Sequence, residues 1–247
     1  MKKIIFWTAL ISILGFLIGA CAKRSAEDAT TAHVESCVDT TASGSITIGS
    51  DTASGTYLHL TSNQFSNSLP ATGCDDVSSR SANPYHPTGT NSILKKKIIT
   101  SSTSFVDHVS YYSDTACTSR LGYLEKRYSN LSVGDTVSGL DNSSGGRPTS
   151  GYRVTYNEAC AKIMADTDAA KVTFNTAYAS YFHVYPMTTG TEKVFCLGWA
   201  CQVRTYYDIW GAGDNGTTFS IYQAMGGSAG YEPSDWDDNT GGMTYQK

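Results

Sequence analysis

The segment FVDHVSYYSDTACTSRLGYLEKRYS (residues 105–129) decides the fold of this chain. Apolar and polar residues alternate through residues 104–112 and again through residues 121–129, and a run of turn-forming residues that starts at Ser113 separates the two. A period of two predicts a β-strand with one buried face. The segment therefore predicts two antiparallel strands joined by the turn from Tyr112 to Cys117.

The same signal extends in both directions along the chain. Thr, Tyr, Val and Ser are abundant, and Gly is frequent between short alternating runs, a composition typical of strands and turns. We predict an all-β fold with a single antiparallel domain and at most one short helix. The further predicted strands cover residues 45–48, 56–60, 152–156, 171–185, 202–210, 217–223 and 243–246.

One short window is predicted to be helical, at residues 157–165. Asn157 is a suitable N-cap, and Glu158 would lie in the first turn, where a carboxylate interacts favourably with the helix dipole. The window is long enough for a plug or a lid and too short for a layer of the fold.

Three consecutive lysines, Lys95, Lys96 and Lys97, form the densest basic run. They are explained equally well by contact with anionic head groups and by an exposed edge strand that uses charge to discourage pairing with another sheet.

The N-terminus is typical of an exported protein. Lys2 and Lys3 precede an uncharged apolar stretch at residues 4–18, which is shorter than the about 20 residues of a membrane span. The following Ile18-Gly19-Ala20-Cys21 resembles the lipobox of bacterial lipoproteins. The resemblance implies a signal peptide at residues 1–20 and lipidation of Cys21. The small, polar residues without periodicity that follow predict a flexible tether at 21–35, ahead of the β domain at 36–247.

The lipobox resemblance also implies where the protein works. Cys21 would carry acyl chains on its sulfur and amine, and two or more chains anchor a protein stably. Because Ala22 and Lys23 follow the cysteine in place of an aspartate, the expected location is the outer membrane of the cell envelope. Which side of that membrane the domain faces stays open.

Six further cysteines predict disulfides, since an even number in an exported chain indicates an oxidising compartment. Only the pair Cys196 and Cys201 is suggested by its spacing, which would close a tight loop between two strand-like segments. The six candidates are Cys37, Cys74, Cys117, Cys160, Cys196 and Cys201.

The turn at Tyr112-Ser113-Asp114-Thr115-Ala116-Cys117 resembles the Y-x-D-x-x-C hairpin of lipocalin-like barrels, including the adenomatosis-polyposis-coli down-regulated-1 type domain and some bacterial lipoproteins. The closing stretch, from residues 206–210 through 217–222 to 245–247, is similar to the way such barrels end. The resemblance implies a lipocalin-like barrel, with a β-sandwich or jelly roll as the alternative.

A barrel of this kind implies a small hydrophobic or lipid-like ligand, bound by aromatic residues such as Tyr178, Phe182 and Trp199. The alternative function is that of a surface adhesin or structural envelope lipoprotein, which would use the long loops rich in Ser, Thr and Gly. Apart from the ligand, the expected partner is the membrane, through the lipid anchor, and no cofactor is expected.

Other classes of function are less consistent with the sequence. Gly226-Gly227-Ser228-Ala229-Gly230 fits the G-x-S-x-G nucleophile motif, but no histidine follows it, so we predict that the protein is not an enzyme. Oxygen ligands at Asp235, Asp237 and Asn239 make a weak calcium candidate that lacks the glycine and glutamate of a helix-loop-helix site, and no metal is predicted.

The charge of the chain argues against a nucleic-acid partner. The chain has 18 basic and 22 acidic side chains, a formal net charge of −4, and loss of Lys2 and Lys3 with the signal peptide makes it more acidic. Proteins that bind nucleic acid need a basic surface to neutralise phosphates.

Overall fold

Eight antiparallel strands close into a barrel in the computed structural model of the chain. The structure describes residues 37, 41–60, 73–79, 83–141, 148–178, 187–195, 204–214, 219–227, 233–236 and 243–247. The strands of the ring are β3 (Thr56–Leu60), β5 (Ser92–Ile99), β6 (Phe105–Tyr112), β7 (Arg120–Ser138), β8 (Ser150–Ala165), β10 (Thr205–Asp214), β11 (Phe219–Gly227) and β12 (Met243–Gln246).

Each strand of the ring pairs with the next one along the chain, and β12 pairs with β3 to complete the circle. β8 and β10 are joined by an antiparallel ladder that runs from Tyr152 opposite Trp210 to Asn157 opposite Thr205. Full closure removes the edge strands that an open sheet would expose. The prediction of an all-β antiparallel domain with a barrel architecture is therefore confirmed.

Two short strands extend the barrel wall beyond the ring. β4 (Cys74–Asp76) pairs with the first residues of β5, beyond the part of β5 that pairs with β3. β9 (Lys193–Phe195) pairs with the last third of β8, beyond the part of β8 that pairs with β10. Both lie at the same end of the barrel, because β5 starts there and β8 finishes there.

The other end of the barrel is covered by a hairpin of β1 (Ser45–Ile48) and β2 (Asp51–Ser54). Its strands contact both β5 and β10, which lie on opposite sides of the ring. Ile46, Ile48 and Ala53 are buried among the rings of the barrel core. The alternating sequence of the hairpin thus places one face inside and one face in solvent.

A single helix among the described residues, α1 (Asp168–Ala177), covers the end where β4 and β9 lie. Thr167 caps it by accepting a hydrogen bond from the Ala170 amide at 3.2 Å. Ala170 and Phe174 are buried, and a Cβ at Gly122 of β7 would meet the Met164 carbonyl oxygen at 2.5 Å and the Phe174 ring at 2.9 Å. Glycine at that position lets the helix approach the sheet closely.

The strand predicted at residues 171–185 is wrong as far as the structure describes it. Residues 171–177 are helical, with Phe174 2% exposed and Val172 60% exposed, whereas a strand would place both on one face. The burial of Ala170, Thr173 and Phe174 follows the helical spacing of three and four residues.

The helix predicted at residues 157–165 is also wrong, because those residues are the second half of β8. They pair with β7 on one side and with β9 or β10 on the other. Two ladders of backbone hydrogen bonds outweigh the local capping signal of Asn157 and Glu158, a case of tertiary pairing overriding propensity.

The three lysines lie on an inner strand of the sheet, so the prediction of an exposed edge strand is wrong. β5 pairs with β6 along its whole length and with β3 and β4 on its other side. Lys97 is 0% exposed, while Lys95 and Lys96 are partly buried.

Two disulfides join the four described candidate cysteines, as predicted for an exported chain. Cys37 pairs with Cys160 of β8, and Cys74 of β4 pairs with Cys117 in the turn between β6 and β7. Cys21, Cys196 and Cys201 lie outside the described residues. Within the described ranges, no helical segment has the length and hydropathy needed to cross a bilayer.

The turn between β6 and β7 is held by the carboxylate of Asp114. It accepts hydrogen bonds from the backbone amides of Ala116 at 2.8 Å, Thr118 at 3.1 Å and Ser119 at 2.5 Å. These bonds, the one from Thr118 foremost, lower the pKa of the Asp114 carboxyl well below its usual range. They position Cys117 for its disulfide.

Candidate functional site

Lys97 on β5 has its ammonium group enclosed inside the barrel. Its Nζ lies 2.6 Å from Oδ1 of Asp107 on β6. The same nitrogen lies over three rings, 4.2 Å from the centroid of Phe105, 4.8 Å from Tyr245 and 4.9 Å from Trp210. The ion pair and the electron-rich faces together offset the cost of removing the ammonium from water.

Asp208 on β10 is a second charged residue in the barrel core, 2% exposed. Its Oδ2 accepts hydrogen bonds from the Tyr156 hydroxyl at 2.6 Å, Gln223 Nε2 at 2.7 Å and Trp210 Nε1 at 3.2 Å. These three donors stabilise the buried carboxylate. Burial, and then the charge of Asp208, raise the pKa of Tyr156 well above its usual value.

Lys126 on β7 and Glu158 on β8 continue the row of interior charges. Lys126 lies opposite Asp107 in the ladder, and its Nζ is 3.6 Å from Oε1 of Glu158. Charges of alternating sign thus cross four neighbouring strands. We expected an apolar interior, and the described core contains aromatic rings together with these charged side chains.

A cleft of about 820 Å³ lies at the α1 end of the barrel, between α1, the loop at residues 83–90 and the start of β5. This volume is within the range of small-molecule sites. The described residues that line the cleft are Asp75, Val77, Ser78, Asn83, Pro84, His86, Pro87, Thr88, Gly89, Thr90, Ile93, Lys95, Val172, Thr173 and Thr176.

The loop at residues 83–90 is built from two turns. The His86 amide donates to the Asn83 carbonyl at 3.0 Å, and the Thr90 amide donates to the Pro87 carbonyl at 3.1 Å. Proline fixes φ and so favours such turns. The Cys74–Cys117 disulfide ties the neighbouring wall of the cleft, which continues from β4, to the rest of the barrel.

Two apolar side chains are exposed beside the cleft. In the part of the chain that the structure describes, the exposed large hydrophobic residues are Val172 at 60% and Tyr85 at 50%. Val172 lines the cleft, and Tyr85 lies between two lining residues, Pro84 and His86. An apolar surface at a concave rim is typical of a binding site.

Tyr178, a predicted ligand contact, lies next to this rim at the end of α1. Its ring centroid is 5.6 Å from that of Tyr85, and its hydroxyl donates to the Tyr85 carbonyl at 3.3 Å. Burial raises its pKa. The two other predicted contacts, Phe182 and Trp199, lie outside the described residues.

Ser110, His108 and Glu125 have the connectivity of a nucleophile, a base and an orienting acid. His108 Nε2 lies 2.8 Å from Ser110 Oγ, and its Nδ1 lies 3.1 Å from Glu125 Oε2. Ser110 is only 3% exposed, and β6 is paired on both sides, so its amides are used in the ladders and none is left for an oxyanion. We interpret the three residues as a structural network, and the absence of enzyme activity stays a prediction.

The weak calcium candidate is described only at Asp235. Its Oδ1 accepts hydrogen bonds from the amides of Asp141 at 2.8 Å and Trp236 at 2.6 Å, so this carboxylate connects two loops. Asp237 and Asn239, and the Ser228 of the nucleophile motif, lie outside the described residues.

The sequence predictions missed most of the cleft. Its described walls come from four segments, at residues 75–78, 83–90, 93–95 and 172–176, and no motif connects them. Two sequence signals could have located parts of its walls. Pro84 and Pro87 mark a loop with defined turns, and Thr167-Asp168 is a helix N-cap followed by an acidic first turn.

Comparison with models of protein families gives no match to this chain, and comparison with curated protein sequences gives none either.

Proposed function

We propose that this chain is a lipid-anchored protein of the cell envelope whose β domain binds a small amphipathic ligand in the cleft beside α1. The observation that supports binding most strongly is the cleft of about 820 Å³ with exposed Val172 and Tyr85 at its rim. The lipid anchor is supported by the sequence that ends at Cys21.

The ligand is amphipathic because the cleft has both kinds of surface. Val77 and Ile93 are buried on its inner side, and Val172 is exposed at its opening. Covering the exposed part of a valine contributes on the order of 1 kcal/mol. The remaining lining is mostly hydroxyl, amide and charged groups, which fix orientation in small-molecule sites.

Binding is tested with N-phenyl-1-naphthylamine, an uncharged apolar fluorophore, titrated into the purified β domain. Saturable binding at one site per chain is expected. Thr176→Trp places a large ring in the cleft and should weaken binding at least tenfold, whereas Ala169→Trp, on the same helix but outside the cleft, should bind as the wild type does.

Two results would contradict the binding proposal. Equal loss of affinity in Thr176→Trp and Ala169→Trp would show that the probe binds elsewhere. A complete lack of saturable binding to the wild type would favour the adhesin alternative, which needs no small-molecule site.

The lipid anchor is tested separately by metabolic labelling of cells with an alkyne analogue of palmitate. The wild-type precursor should be labelled and found in the membrane fraction. Cys21→Ser should abolish both the label and the mass increase. A variant that matures and partitions as the wild type does would rule out the anchor.

A further inference from the structure

Two hydroxyl groups on the loop side of the cleft donate their hydrogens within the protein. Thr90 Oγ1 donates to the carbonyl of Pro87 at 2.7 Å, and Ser78 Oγ donates to Oδ1 of Asp76 at 2.6 Å. A hydroxyl has one hydrogen and two lone pairs. Both oxygens therefore offer only acceptor sites to a molecule in the cleft.

The hydroxyls on α1 have the same property. Thr173 Oγ1 donates to the Ala169 carbonyl at 3.3 Å, and Thr176 Oγ1 donates to the Val172 carbonyl at 2.9 Å. These are the bonds to a preceding carbonyl that Thr commonly makes inside a helix. These four hydroxyls, two on the helix and two on the loops, thus present acceptor sites from both sides of the cleft.

The charges of the cleft nearly balance. Among the lining residues that the structure describes, those with a formal charge at pH 7 are Asp75 and Lys95, one of each sign. An anionic head group would be repelled by the lone pairs of the hydroxyls and by the charge of Asp75, and a cationic head group would be repelled by the charge of Lys95. An uncharged head group with several hydroxyls avoids repulsion by either charge. Its hydroxyls also supply the hydrogen-bond donors that the acceptor oxygens of the cleft require.

We propose that the cleft recognises an amphiphile with an uncharged, polyhydroxylated head group, such as a glycosylated hydrocarbon chain. This inference rests on the proposed function, since it names the ligand class of the same cleft. The hydrocarbon chain contacts Val172 and Tyr85, and the hydroxyls of the head group donate to Ser78, Thr90 and Thr176.

The head-group preference is measured by isothermal titration calorimetry of the β domain with three ligands of equal chain length, each below its critical micelle concentration. The ligands are decyl maltoside, decanoate and decyltrimethylammonium. We expect decyl maltoside to bind at least tenfold more tightly than either charged ligand.

The outcomes separate the two proposals. Equal affinities for all three ligands would overturn the head-group inference and leave the binding function intact, as would tighter binding of decanoate or of the ammonium ligand. If none of the three binds, the proposed function itself fails.

A matched pair of variants tests the acceptor role directly. Thr176→Val keeps the shape of the side chain and removes its oxygen, and the loss of one hydrogen bond should weaken decyl maltoside binding about 3- to 10-fold. Binding of decyltrimethylammonium should not change, and Thr176→Ser should bind the maltoside as the wild type does. Wild-type affinity of Thr176→Val for the maltoside would contradict the assignment of this hydroxyl.

Discussion

The replacement Lys97→Met tests whether the barrel core depends on the enclosed ammonium group. Methionine keeps most of the side-chain volume and removes the charge. The Lys97 side chain is 0% exposed and its Nζ lies 2.6 Å from Asp107, so the variant leaves a carboxylate that is only 25% exposed without its cation.

The expected loss of stability follows from these contacts. Removing one partner of a buried ion pair costs about 3–5 kcal/mol, and a desolvated cation over an aromatic ring contributes about 2 kcal/mol. Partial hydration of Asp107 offsets some of this lost free energy, and so does the burial of a thioether, which costs less than the burial of an ammonium group. We expect a net loss of about 2–4 kcal/mol, which lowers Tm by about 5–15 °C in a domain of this size.

The assay is urea unfolding followed by circular dichroism with the disulfides intact. The control is Lys96→Met, which makes the same charge change at the next residue, on the outer face of β5, and should change the free energy of unfolding by less than about 0.5 kcal/mol. In Lys97→Met/Asp107→Leu, an apolar pair replaces the ion pair and should recover part of the loss. A Lys97→Met variant as stable as Lys96→Met would refute the reasoning.

Three further predictions concern the end of the barrel that α1 covers. Gly122→Ala should lower stability by about 1–3 kcal/mol and make α1 more sensitive to limited proteolysis, because its Cβ would meet the Met164 carbonyl oxygen at 2.5 Å and the Phe174 ring at 2.9 Å. The double variant Cys74→Ser/Cys117→Ser should lose about 4 kcal/mol in a denaturant titration, since that disulfide closes a loop with a sequence separation of 43. Because the pKa of Asp114 is lowered in the folded state, its contribution to stability is present above the usual carboxyl pKa and is lost as the pH falls. Asp114→Asn should therefore flatten the acid limb of a plot of the urea unfolding midpoint against pH.

The strand prediction worked best where the chain alternates between clear turns. Residues 45–48, 56–60 and 243–246 were predicted with the observed boundaries, and the hairpin around Cys117 was recognised because Asp114 and its neighbours are strong turn formers. β7 was predicted too short, since its outer half pairs with β8 through an irregular register that weakens the alternation. The second half of β8 was missed because Asn157 and Glu158 resemble the start of a helix.

Other elements were misread because one pattern fits two structures. Val172, Phe174 and Thr176 alternate as in a strand, yet Ala170 and Phe174 also have helical spacing, and their packing against the distant strands β7 and β8 favours the helix. The binding cleft could not be predicted from the sequence, because the segments that form its walls are far apart along the chain.

Lys97 shows the limit of a charge pattern. Three lysines in a row are typical of an exposed edge, and nothing in the run itself indicates that a carboxylate and three rings from other strands converge on one of them. Burial of a charge depends on partners that only the closed barrel brings together.

The location of a bound amphiphile tests ligand binding by this barrel most directly. Decyl maltoside with a diazirine at the end of its chain would be photolysed in complex with the β domain, and the adducts mapped by mass spectrometry. Adducts are predicted in residues 172–176 and 83–90, and excess unlabelled decyl maltoside should abolish them. Adducts that are spread over the outside of the barrel and resist competition would contradict a ligand site in the cleft.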